Sequence, residues 1–517
     1  MKRVTAIVLI VLLQCLQTAS YASNELAFPT ESQRKEIAAQ LFSGIESIDA
    51  MTIDLRNKTR RIDWDTYKKK ASDKIAKAAD WDALYHAISN IHFGILNRHS
   101  YLLVSDSVRD KLSKRNRWPK IEVGYTWPNV EFFSLANNKS IASINSAKIA
   151  DIYDEFFNLY CNDVHHSGCL GMFSSYLKSG YMFSGSREQL VVKYTDGSSE
   201  TFNSSNQPNT QPAKQQTIDC SLLYSSFDID LIYDGSQSCL YESADTYVLK
   251  IFYFGNWGTK HEDIYCENTN EKGMCFDINE IKRITRSSPL KSLVIDLQDN
   301  GGGNENTPWI AALTTNGFKD NLVAYRNLSL LANPNIRESA FYYSESAETW
   351  YQNIVKNVET SSEFLPIRPD FCRGSKACDI KTVESSDTPI KYKDLKLVIN
   401  RGCVSSCDDF IWRTRQYANA TTYGQLSATD GAYARLNGYL FINKAGKVTN
   451  IITGEGELPP EEHGTLLVTY QVPISKTVNI DGEILEGAAN ILDYPLPVNK
   501  QNFKHLTRDN LARALTF

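Results

Sequence analysis

Residues 293–305 read LVIDLQDNGGGNE, and residues 395–411 read LKLVINRGCVSSCDDFI. Each begins with a short apolar run and passes through small or polar residues into a helix-type pattern. In the first, three consecutive glycines, Gly301 to Gly303, lead into TPWIAALTT. In the second, Ser405 and Ser406 stand side by side between Cys403 and Cys407. An unbroken apolar run bounded by turn residues is the pattern of a strand buried on both faces. Two such strands, each feeding a helix, predict a largely parallel sheet covered on both sides, and so an α/β fold.

The surrounding sequence extends this pattern. TYVLKIFYF (246–254) and ATTYGQ (420–425) read as further strands, and DINEIKRITRS (277–287) and DDFIWRTRQYA (408–418) as helices. Residues 30–100 differ. SQRKEIAAQLFSGIESI (32–48) and DWDALYHAISNIHFGIL (80–96) space apolar residues three and four apart, as amphipathic helices do, with Asp80 or Asp82 as the cap of the second. Residues 119–202 change again. SIASINSAKIADIYDEFFNLY (140–160) gives a strand, a turn and a helix, and EQLVVKYTDGSSETF (188–202) gives a hairpin turning at Asp196-Gly197. The polar, proline-bearing stretch 203–217 reads as a linker. The expected division is 1–22 a leader, 23–118 a helical region, 119–217 a small module ending in the linker, and 218–517 the main domain.

The leader is MKRVTAIVLIVLLQCLQTASYAS: two basic residues, an apolar stretch too short to span a bilayer comfortably, and a small-x-small site ending at Ala22. That is a secretory signal, and it predicts a secreted or periplasmic protein with no stable membrane insertion after cleavage. Setting Cys15 aside leaves ten cysteines in local couples: Cys161 with Cys169, Cys220 with Cys239, Cys266 with Cys275, Cys372 with Cys378, and Cys403 with Cys407. In an oxidising compartment these read as five disulfides. No CxxC occurs, and His165-His166 has no evident third ligand, so neither a metal nor a cofactor is expected. A net charge of −5 without a basic run gives no footprint for nucleic acid.

Two features could carry chemistry. Glycines after a buried strand let another group approach the main chain, and their amides suit an anion or oxyanion. No GK[ST] follows, and the pattern is not GxGxxG, so a nucleotide is not the expected ligand. A plain flexible turn is the alternative. Ser405 and Ser406 fall on a strand-to-helix turn, which exposes a hydroxyl and aims helix N-terminal amides at whatever it attacks. The alternative for either serine is helix N-capping. Cys403 and Cys407 are close enough in sequence to bridge across the turn. Such a staple predicts that reduction lowers activity before it unfolds the chain.

Together the two stretches resemble the C-terminal processing, or tail-specific, serine proteases. That family pairs a VIDLRxNGGG-type strand and turn with a later VLVNxxSASASEIF segment. Aligned on Asn400, Ser405 falls on the family nucleophile, and Cys403 and Cys407 replace the flanking serines. VPISKTVNIDGEILEGAANILDYPLP (472–497) resembles the closing segment, and ISNIHFGILNRHSYLLV (88–104) resembles the N-terminal "DgHs" segment. The strand-turn-helix and hairpin of 140–202 resemble a PDZ-type element. The resemblance implies a crotonase-like (ClpP/crotonase) β-α spiral core, a helical N-terminal region and a PDZ-like module that accepts an extended polypeptide substrate by strand addition.

One departure is informative. Where Ser–Lys members carry a lysine, this chain has Asp430, so a Ser–Lys dyad is rejected. The tricorn-core-like branch uses Ser, His and Glu. Carried over, these are Ser405, His99 and, in the closing segment, Glu486, with Glu461 and Glu462 as rivals for the acid. The implied oxyanion donors are the amide of Ser406 and one from Gly301 or Gly302. The resemblance therefore implies a serine endopeptidase. The alternative is a catalytically silent relative that binds peptides or small apolar ligands, with an esterase or cell-wall hydrolase as a third reading. Oligomeric state has no signal in the sequence.

Overall fold

The computed structural model describes residues 26–516, apart from 113–119, 180–188, 204–218, 256–262, 268, 270–271, 304–305, 334–335, 337–361, 370–379, 429–433, 455–458, 460–462, 480, 483 and 486–491. The leader therefore lies outside the described residues.

A seven-stranded sheet forms the middle of the molecule. Its order is Tyr494–Pro495, Thr421–Gly424, Leu395–Ile399, Ser292–Asp296, Thr246–Ile251, Ser238–Glu242 and Asp230–Asp234. The first five run parallel, and Ser238–Glu242 is antiparallel to both its neighbours, Thr246–Ile251 and Asp230–Asp234. The apolar runs are continuous because both faces are covered. Leu249, Ile295 and Leu397 pack on one side with the helices Met274–Arg286, Thr307–Leu313 and Ser406–Ala418. Their neighbours Val248, Val294 and Val398 pack on the other, against Leu511 and Ala514 of the helix Leu506–Thr516. The alternation is the two-residue period of a strand.

The N-terminal helices do not stand alone. Glu31–Ile48, opened by a capping box between Thr30 and Gln33, turns Ile37, Leu41, Phe42, Ile45 and Ile48 inward. They share one apolar core with a four-stranded antiparallel sheet in the order Tyr101–Val104, Thr465–Pro473, Arg435–Ile442, Val448–Thr453. The second amphipathic segment is shorter than its periodicity suggests. Asp80 caps Trp81–Ser89 through the amide of Ala83, and the chain then tightens into a 3₁₀ turn over Asn90–Gly94. Gly94 lies so close to the Tyr67 ring that a Cβ there would sit 2.1 Å from it.

Residues 121–203 have a core of their own, built around Phe132, Tyr153, Phe156 and Phe173. A sheet in the order Ala147–Lys148, Ile141–Ile144, Gln189–Tyr194, Ser199–Asn203 packs with the helices Ile149–Leu159 and His166–Ser179. The hairpin turns at Asp196-Gly197, with Gly197 at φ +85°. Four of the five expected disulfides are formed among the described residues: Cys161–Cys169, Cys220–Cys239, Cys266–Cys275 and Cys403–Cys407. The fifth expected couple, Cys372 and Cys378, lies outside the described residues. Among the described residues, no helix is long and apolar enough to cross a membrane.

Candidate active site

Two neighbouring parallel strands, Ser292–Asp296 and Leu395–Ile399, end side by side, so the loops that follow them meet. Asn400 clamps them together. Its Oδ1 accepts from the amides of Asp299 (2.9 Å) and Gly402 (2.8 Å), and its Nδ2 donates to Asp299 Oδ1 (3.0 Å). The amide of Val404 adds a bond to the Asn300 carbonyl (3.2 Å).

Ser405 stands where the second loop enters its helix. Its backbone has φ +64° and ψ −131°, a region non-glycine residues seldom occupy, at a cost of about 1–3 kcal/mol. Its carbonyl accepts from the amide of Asp408 at 2.7 Å, so it holds the N-cap position, yet its hydroxyl makes no capping hydrogen bond. Ser406 differs: its hydroxyl donates to the Gly303 carbonyl at 3.1 Å. The disulfide Cys403–Cys407 spans the turn with Cα atoms 5.3 Å apart and both residues fully buried. From the glycine side, Asn306 Nδ2 donates to the Ser406 carbonyl (2.5 Å). The fully buried Arg413 holds Asn306 Oδ1 (3.0 Å) and pairs with Asp320 (3.3 Å).

The three glycines have different surroundings. Gly301 is exposed, with no atom within 4 Å of where a Cβ would stand. Gly302, at φ +81°, faces the elbow: a Cβ would lie 2.4 Å from the Val404 carbonyl oxygen and 2.7 Å from Ser405 Cβ. The Gly302 amide donates to Asn300 Oδ1 at 2.9 Å, and its carbonyl accepts from Phe254 N at 2.8 Å. The glycine run is therefore a packed wall of the serine turn at Gly302 and open at Gly301.

His99 is half-buried in the loop between the 3₁₀ turn and the strand Tyr101–Val104. Asn97 shapes that loop, its Oδ1 accepting from Ser100 N at 2.9 Å. The adjacent Arg98 donates from Nη1 to the Arg401 carbonyl at 3.1 Å, tying the histidine loop to the serine loop across 303 residues of sequence. Arg401 in turn pairs through Nε with Asp163 Oδ2 (3.4 Å), whose carboxylate is fully buried inside the Cys161–Cys169 loop. Burial raises the Asp163 carboxyl and the Arg401 guanidinium opposes it; burial likewise lowers Arg401, and Asp163 opposes that. Glu486, Glu461, Glu462 and Asp430 lie outside the described residues. The chain just before Glu486 turns back on the core, with Leu485 N donating to the Thr477 carbonyl at 3.0 Å.

Sequence reasoning used Asn400 only as an alignment anchor and passed over Arg98, Asp163 and Arg401, since single polar residues on loops carry no spacing. It also missed Lys250, which reaches Asp296 (3.3 Å) from within an apolar strand while Tyr224 donates to the same carboxylate. That pair lines a cavity of about 420 Å³ beside the helix Leu506–Thr516, on the side of the sheet away from the serine helix.

Solved structures share this architecture. The structure of mature CPAF complexed with lactacystin aligns over 94% of this chain and 97% of its own, with a TM-score of 0.58 at 12% identity. A second structure of mature CPAF covers 94% and 96% at TM-score 0.56 and 12% identity. A CPAF mutant does the same at TM-score 0.57 and 11% identity. The chain has the fold of mature CPAF. By sequence, no family model and no curated protein matches it. At 11–12% identity the likeness to CPAF carries the fold and leaves the chemistry to the residues themselves.

Proposed function

We propose that this chain is a serine endopeptidase of the tail-specific type, with Ser405 as nucleophile, His99 as its base and Glu486 as the carboxylate that orients the imidazole. The observation that carries the reading is the contrast between the two serines. Ser406 commits its hydroxyl to the Gly303 carbonyl, whereas Ser405, in a strained turn at a helix N-terminus, makes no capping bond. Strain of this kind persists where the surroundings over-determine it, and here the Asn400 clamp and the disulfide do so.

In the proposed reaction, His99 takes the Ser405 proton as the hydroxyl attacks a peptide carbonyl. The oxyanion is met by the amides of Ser406 and Gly301, His99 returns the proton to the leaving amine, and water, deprotonated by His99, then cleaves the acyl–Ser405 ester, with the proton returning to Ser405. Gly301 is preferred to Gly302 because the Gly302 amide already serves Asn300. Glu486 fixes the tautomer of His99 and stabilises its charged form. Lys250 supplies no dyad, being engaged with Asp296. The CPAF-like fold supports the reading, since CPAF is a protease of the tail-specific type. We extend the reading to a crotonase-like core over 218–517, a PDZ-like module over 119–217, and secretion directed by residues 1–22.

The test is hydrolysis of an unfolded polypeptide by the purified chain. Ser405→Ala and His99→Ala should each lower the rate at least about 10³-fold, the scale seen when one member of a catalytic unit is removed. A native rate no higher than that of Ser405→Ala would overturn the proposal.

A further inference from the structure

We propose that a preformed cavity beside the serine turn is the subsite for a large apolar side chain, aromatic by preference, of the peptide substrate. This rests on the endopeptidase reading and adds its specificity. The cavity, of about 360 Å³, lies where the 121–203 unit meets the main domain. Its wall includes Tyr125, Trp127, Leu426, Leu492 and Val498, with Arg401 at one side.

Three observations connect it to the chemistry. Arg401 belongs to the serine loop, and its carbonyl receives the Arg98 bond from the histidine loop. The segment that carries Leu426 runs along the serine loop: Gln425 N donates to the Ile399 carbonyl and Ala428 N to the Cys403 carbonyl, both at 3.0 Å. The far wall is closed by paired bonds between Trp127 and Val498, 2.8 Å and 2.9 Å, which join the 121–203 unit to the chain just after the closing segment. Separately anchored segments thus hold the cavity open without a ligand.

Size and charge select the occupant. The volume falls at the low end of the roughly 300–1,000 Å³ of small-ligand sites, enough for one large side chain with its backbone rather than a folded segment. The cationic wall is already answered, because Asp163 pairs with Arg401. A substrate carboxylate would lose water there and gain an arginine shared with another acid. An aromatic ring gives up no charge and meets two aromatic residues and the guanidinium face.

The experiment uses full-length protein carrying Ser405→Ala, so that binding is read without turnover. Peptides acetyl-(Ala)4-X-(Ala)4-amide, with X as Phe, Ala or Glu, are titrated calorimetrically. Phe should bind at least tenfold tighter than Ala and Glu no tighter than Ala. Leu426→Trp, which fills the cavity, and Trp127→Ala, which strips its wall, should each bring the Phe-to-Ala ratio to within threefold, with folding checked by circular dichroism. Equal affinities for Phe and Ala, a preference for Glu, or an unchanged ratio in a folded variant would overturn the subsite. Fluorophosphonate labelling of the native protein reports separately on Ser405. Labelling without side-chain preference defeats the subsite alone, and preference without labelling defeats the peptidase reading alone.

Discussion

Replacing Gly302 with alanine should damage the elbow directly, because its methyl group would be driven into the serine turn. The glycine sits at φ +81°, where an L-residue costs about 1–2 kcal/mol. Its new Cβ would stand 2.4 Å from the Val404 carbonyl oxygen and 2.7 Å from Ser405 Cβ, so something must move. Neither neighbour yields cheaply, because Asn400 and the Cys403–Cys407 bond hold that turn. Overpacking of this kind costs about 1–3 kcal/mol, so the sum is roughly 2–5 kcal/mol. If the turn gives way by about 1 Å instead, the loss appears in the rate, at about 10²-fold. Gly301→Ala is the control, since its Cβ meets nothing and its φ needs no glycine; its stability should stay within about 0.5 kcal/mol of native. Urea unfolding and kcat/KM for a peptide, measured on both variants, separate the two routes. A Gly302→Ala protein with native stability and native rate would refute the packing argument, as would a Gly301→Ala protein that is the less stable of the pair.

Asp49 supplies a pH test remote from the site. Burial raises its carboxyl from 3.8 to about 6, against hydrogen bonds from the amides of Thr52 and Ile53. The folded state therefore holds this proton to higher pH than the unfolded chain, so the contribution is complete below about 3.8 and lost as pH rises through about 6. Native protein should lose up to about 3 kcal/mol through this group across that window, and Asp49→Asn should flatten the slope; equal slopes for both proteins would contradict it. The sequence expectation is that reducing the elbow disulfide lowers activity before it unfolds the chain; burial of the bond leads us to predict the opposite order. Both sulfurs are fully buried, so mild reductant should leave Cys403 and Cys407 unalkylated until the chain opens, whereas Cys403→Ala with Cys407→Ala should cost about 2 kcal/mol and lower the rate. Alkylation of both cysteines in folded, fully active protein would show that the staple does nothing for the turn.

Much of the main sheet was legible because its strands are buried on both faces and so print as apolar runs; Ser292–Asp296 and Leu395–Ile399 needed no further signal. The position of Ser405 on a strand-to-helix turn was legible for the same reason, since a strand feeding a helix leaves few positions for the turn. The antiparallel sheet that receives the N-terminal helices was not read. Arg435–Ile442 and Thr465–Pro473 alternate too little, and Tyr101–Val104, the outer partner of Thr465–Pro473, lies more than 300 residues away. The ties at Arg401 were invisible for a similar reason. Asp163 and Arg98 gain their meaning only when the fold brings them to one loop.

The central claim is that Ser405, and not its neighbour, is the nucleophile. Mass-spectrometric mapping of the adduct left by a fluorophosphonate on the native protein addresses it directly. The account predicts one modified residue, Ser405, and no adduct in Ser405→Ala; an adduct on Ser406, or no adduct on the native chain, would contradict it.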